Sequence, residues 1–143
     1  MERPRRSEPP EMAELRRKLD AAHRGLLRVH KAIIDHERVR YERTRGPVGG
    51  AVEFLQLVIR DPWFAWIRPI SELIVQIDEF TESKEPTEST EGEALLVQAR
   101  ELLVPSETGD DFRREYFRAV QESPDVAMMH GEWRRAIAPA TGA

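Results

Sequence analysis

The side chains with the widest scope for chemistry in this sequence are its histidines and the acids and aromatics near them. Imidazole changes charge near neutral pH and ligates metals, so it serves as a general base, a proton shuttle or a metal ligand. His23, His30 and Glu37 are spaced by seven and lie on one line of a helix. Adjacent members are then about 10 Å apart along the axis, which is too far for one ion to join them. A metal site would need ligands from other helices, such as Asp35, Asp78 or Glu79. The paired Glu-x-x-His motifs of di-iron bundles are missing, as are zincin and hemerythrin-like spacings. Solvated or hydrogen-bonded histidines on a long helix explain the pattern more simply, and no metal or other cofactor is assigned.

His36 differs because it continues an apolar stripe. With Tyr41, Trp63 and Trp66 it makes the candidate ligand-binding set: a haem ligand or general base in a pocket lined by the two tryptophans. The simpler reading is a core histidine satisfied by a hydrogen bond. A second candidate set is Arg43, Arg45, Gly49 and Gly50. Free N–H groups of glycines at a helix start, with arginines beside them, can cradle a phosphate. The Lys-Ser/Thr pair of a phosphate loop is absent and no strand precedes the glycines, so a helical corner also accounts for them. Carboxylates on the polar face of the third helix (Glu72, Asp78 and Glu79) show no sign of facing each other across a cleft. No Gly-x-Ser-x-Gly motif is present. No catalytic residue is assigned.

These side chains sit on a chain of 143 residues, enough for one domain. It has no cysteine, which excludes disulfides, iron–sulfur clusters, thiolate zinc sites and cysteine nucleophiles. The net charge of -4 argues against nucleic acid as a partner, and the run of arginines before Gly46 is interrupted by Glu37 and Glu42. No apolar run approaches the roughly 18–20 residues that span a bilayer. The charged, proline-rich start MERPRRSEPPEM has no apolar core. A soluble cytoplasmic protein without membrane contact is expected.

Residues 1–9 read as a disordered arm, with Ser7 as a cap and Pro9–Pro10 suited to a first helical turn. A long helix follows to about Arg43. Met12, Leu15, Leu19, Ala22, Leu26, Val29 and Ile33 alternate by three and four, and the stripe extends to His36 and Arg40. Opposite charges at i,i+4 line its outside: Glu14 with Lys18, Asp20 with Arg24, Lys31 with Asp35, Arg38 with Glu42. Gly25 allows close approach of another helix or a mild bend. Gly46, Pro47, Gly49 and Gly50 break the helix. Ala51–Arg60 is nearly all apolar and reads as a buried second helix with a narrow polar stripe at Glu53, Gln56 and Arg60.

The stretch DPWFAWIRPISELIVQIDEF carries apolar residues at 63, 66, 70, 73, 77 and 80. Asp61 caps, Pro62 follows it, and Pro69 predicts a kink or a short turn over 62–67 with a fresh helix after it. Trp63 to Ile67 has bulky residues on nearly every side, so part of it is either central or exposed for a partner. Residues 81–92 read as an acidic loop. Three shorter helices follow, from about Gly92, Asp110 and Pro124. A single helical domain over 10–138 and a flexible tail at 139–143 complete the expectation.

DPWFAWIRPISELIVQIDEF and the upstream LLRVHKAIIDHERVRYER resemble an uncharacterised family of short bacterial all-α proteins. The resemblance implies a small bacterial cytosolic protein and brings no activity or site residue with it.

The fold expected is an all-α helical bundle of five to six helices with a long N-terminal helix. The expected function is non-enzymatic: a binding or protein-interaction module that meets a protein partner or pairs as a homodimer through helix one. That helix, near 50 Å long, exceeds a domain whose radius of gyration is about 14–15 Å. The alternative is a ligand- or metal-binding bundle, of haem or redox type, centred on His36 and Trp63/Trp66, with a small molecule as its ligand.

Overall fold

The computed structural model describes residues 8–84 and 88–137. The helices are α1 (Pro10–Arg45), α2 (Ala51–Arg60), α3 (Arg68–Glu82), α4 (Ser89–Leu102), α5 (Asp111–Glu122) and α6 (Pro124–Ile137), with a 3₁₀ turn at Pro62–Ile67. The protein is an all-α bundle with a long first helix, and no strand occurs among the described residues. The Ser7 cap, residues 1–7 of the predicted arm and the tail at 139–143 lie outside the described residues.

α1 is the spine. Pro10 occupies its first turn, where a missing N–H costs nothing. The predicted stripe from Leu15 to Ile33 is buried against α3, α4 and α6. Gly25 has a packing reason. A Cβ there would lie 2.7 Å from Cε3 of Trp133, so glycine lets α6 come close. Lys31–Asp35 and Arg38–Glu42 pair at 2.9 and 3.3 Å as their spacing predicts, whereas Glu14 pairs with Arg17. The stripe ends at Glu37, not at His36 and Arg40, and no residue of α1 beyond Glu37 is buried. At 36 residues, α1 is about 54 Å long.

The proline-punctuated stretch resolves as predicted into a short turn and a fresh helix. The Asp61 carboxylate accepts from the Trp63 N–H at 2.8 Å, capping the turn. The turn being 3₁₀ corrects the predicted stripe. With three residues per turn, the buried positions are Phe64, Ile67 and Ile70, and Trp63 and Trp66 fall to the flanks, only partly buried. α3 then continues the core with Leu73, Ile74, Ile77 and Phe80. The acidic loop is shorter than expected. Thr81 and Glu82 finish α3, and Ser89 to Gly92 already belong to α4. Asp110 caps α5 by accepting from Arg113 N at 2.9 Å. Ser123 caps α6 through Oγ and Val126 N at 3.1 Å.

The largest correction concerns α2, which is not buried. None of its ten residues is buried. It packs chiefly on the 3₁₀ turn, through Phe54, Leu57 and Val58. Among the described residues nothing covers its opposite side.

Candidate functional site

The most polar point inside the bundle is Glu37, whose side chain is 0% exposed. An ionised carboxylate at such a place is tolerable only if paired and hydrogen-bonded. Oε1 accepts from Arg40 Nη1 at 2.7 Å and from the Trp63 indole Nε1 at 2.9 Å. Oε2 accepts from Arg118 Nη2 at 2.9 Å. Arg118 in turn donates to Glu115 and Glu122 at 2.8 Å and lies over the Trp66 ring. Burial would make the Arg118 guanidinium easier to deprotonate, but its bonds to Glu115 and Glu37 outweigh that and hold the proton more firmly. The cluster ties α1 to α5 and to the 3₁₀ turn. With both carboxylate oxygens engaged and no exposed surface, Glu37 offers no position to a substrate.

This cluster stands where the ligand pocket of His36, Tyr41, Trp63 and Trp66 was expected. His36 Nε2 meets Glu122 Oε1 at 3.0 Å. It lines a surface groove of about 550 Å³ between α1 and the α5–α6 junction, and neither tryptophan borders that groove. Trp63 packs edge-on against Tyr41 at 5.4 Å, and Trp66 sits beside Phe112 at 5.8 Å. Tyr41 also touches Phe64. His36 and the tryptophans are thus linked through Glu122, Arg118, Arg40 and Glu37, with side chains rather than a cavity joining them. Burial lifts the Glu122 carboxyl, but bonds from His36 and Arg118 more than offset this and keep it below the usual range.

The second predicted set is dispersed. Gly46 and Gly49 have φ of 92° and 83°, which is why glycine is required in this corner. The Gly50 N–H is engaged by Glu53 Oε1 at 3.1 Å. Arg45 lies over the rings of Tyr41 and Trp63, while Arg43 borders the His36 groove. Arg43, Arg45, Gly49 and Gly50 do not converge on one point as arranged.

The other histidines lie apart from this cluster. His30 Nε2 bonds Ser71 Oγ at 2.9 Å, and burial lowers its pKa. His23 Nε2 lies 2.8 Å from Asp78 Oδ1, an ion-pair distance without hydrogen-bond geometry. Among the described residues no three His, Asp or Glu side chains are grouped to hold a metal ion. One buried pair is not among the predicted sites: Tyr116 Oη and His130 Nδ1, 2.8 Å apart. Burial, and then the Arg134 charge, lower the His130 pKa. Burial raises that of Tyr116. The signal was present, since Val126, His130, Trp133 and Ile137 follow three-four spacing.

What the Glu37 cluster positions is α2. Trp63 fixes the 3₁₀ turn on α1, and the turn is the main support of α2. Arg38, stacked over Phe54 at 4.6 Å, holds the inner face of α2 from the C-terminal part of α1. The outer face then shows Val52, Leu55 and Ile59, which are 68%, 59% and 59% exposed. These positions form one stripe at i, i+3 and i+7. No family model matches the chain, and neither does any curated protein or solved structure.

Proposed function

We propose that this protein is a non-enzymatic interaction module that docks through α2. The observation that carries the reading is the stripe of Val52, Leu55 and Ile59 on a helix with no buried residue. Isolated exposed aliphatics are ordinary, but three in register on one rigidly mounted helix form an apolar patch of the kind that marks contact sites. Helices read by partners present anchors at i, i+3 or i+4, and i+7.

The occupant that fits is a hydrophobic groove on another protein. A ten-residue helix is about 15 Å long, and its one face falls well short of the roughly 800 Å² per partner of a stable flat interface. A groove wraps the helix on several sides and recovers that area. Arg60 ends α2 and Arg68 follows it, with its Nη2 at 3.5 Å from the Ile59 carbonyl. Arg45 flanks the turn from α1. An acidic rim on the partner's groove complements these charges.

The test places a photocrosslinking residue at Leu55 in the full chain, in the cell that makes it, with the same residue at Arg17 as control. The expected result is a discrete adduct to another protein from position 55, absent from position 17 and lost when Val52 and Ile59 are changed to serine. An adduct to a second copy of the chain would replace the groove partner with self-association. No specific adduct from position 55 would sink the reading.

A further inference from the structure

A groove between α4 and the end of α6 has a volume of about 950 Å³. Its floor includes the buried side chains of Trp133 and Ile137. Its walls carry Arg100 from α4 and Arg134 and Arg135 from α6, and no carboxylate lines it among the described residues. That charge balance runs against the chain, in which 26 acidic residues outnumber 22 basic ones.

Cations in the last turn of a helix interact favourably with its macrodipole, which gives Arg134 and Arg135 an ordinary reason to be there. Two features go beyond it. Arg100 reaches the same place from another helix, its Nε donating to the Ile137 carbonyl at 3.1 Å. None of the three guanidiniums has a carboxylate partner among the described residues, whereas Arg113 and Arg118 of α5 are closed by ion pairs.

His130 adds a fixed donor at the groove's edge. The Tyr116 hydroxyl is buried and resists ionisation, and Nδ1 of His130 is its one acceptor among the described residues. The hydroxyl therefore donates to Nδ1, and the neutral ring carries its hydrogen on Nε2. That leaves Nε2–H as the donor available to a ligand.

We infer that the α4–α6 groove binds an amphipathic organic anion: a phosphate or carboxylate head held by Arg100, Arg134, Arg135 and His130, with an apolar body over Trp133 and Ile137. The head and the floor recognise different parts of one ligand, so neither inorganic phosphate nor a neutral alkane chain suffices. This site is separate from the α2 stripe and stands or falls independently of it.

The experiment is calorimetric titration of the full chain with hexyl phosphate, inorganic phosphate and 1-hexanol, together with NMR observation of the His130 ring. Hexyl phosphate is expected to bind at least tenfold more tightly than inorganic phosphate, 1-hexanol to give no saturable heat, and the His130 signals to move only with hexyl phosphate. Arg134→Gln/Arg135→Gln, which alters two exposed side chains, should weaken hexyl phosphate at least tenfold with unchanged helical circular dichroism. Arg17→Gln should leave it unchanged. Absence of saturable hexyl phosphate binding below about 10 mM, or equal binding by the double variant, overturns the inference.

Discussion

The indole Nε1 of Trp63 donates to the buried Oε1 of Glu37 at 2.9 Å. The bond joins the fully buried carboxylate of α1 to the turn from which α2 is hung. It makes the placement of an exposed apolar helix depend on a closed polar cluster inside the bundle.

Breaking that cluster should be costly. Glu37→Ala leaves Arg118 and Arg40 without their shared carboxylate and removes the acceptor of Trp63. The expected loss is about 3–5 kcal/mol in the free energy of chemical denaturation. Trp63→Phe keeps the ring and removes only the donor, so it should lose about 1–2 kcal/mol. A Glu37→Ala variant within about 0.5 kcal/mol of the parent would show that the cluster contributes nothing.

Gly25 should resist even alanine. Alanine would gain about 1 kcal/mol in helix propensity. Its Cβ, however, would sit 2.7 Å from the Trp133 ring, and overpacking of that kind costs about 1–3 kcal/mol. Thermal unfolding of Gly25→Ala is expected to show a lowered midpoint. A raised midpoint would mean that α6 shifts away freely.

Stability should fall in mild acid. His30 and His130 both have folded pKa values below their ordinary 6.5 because they are buried. A histidine depressed in the folded state binds more protons when unfolded. Its contribution is therefore complete above about pH 6.5 and is lost as pH falls through that value towards the folded pKa. Denaturation free energies at pH 7.5 and 5.5 should show this slope, and His130→Gln should flatten it. A slope that His130→Gln leaves unaltered would assign the effect elsewhere. Glu122, held below the usual carboxylate range, adds stability that is lost only at lower pH, below about 4.5.

The bundle was legible in the sequence because its signals are local. Three-four spacing from Leu15 to Ile33, prolines at 10, 62, 69 and 124, and caps at Asp61 and Ser123 each act within one or two turns. The site was less legible because it depends on what covers what. Glu37 follows Ile33 by four and continues the apolar stripe, yet a charge at that position reads as surface until Arg118, 81 residues away, is seen beside it. An α-helical phase puts Trp63 and Trp66 on the inner stripe, and the 3₁₀ turn rotates Phe64 and Ile67 inward instead. The composition of α2 suits a core, but burial needs a neighbour on both sides, and the fold supplies one.

The most direct test is the affinity of the partner recovered by crosslinking at position 55 for the purified protein and for Val52→Ser/Leu55→Ser/Ile59→Ser. Since these side chains are exposed, the variant should unfold within about 0.5 kcal/mol of the parent. It should bind the partner at least a hundredfold more weakly, a loss of about 3 kcal/mol. Equal affinity in the two proteins would contradict docking through α2.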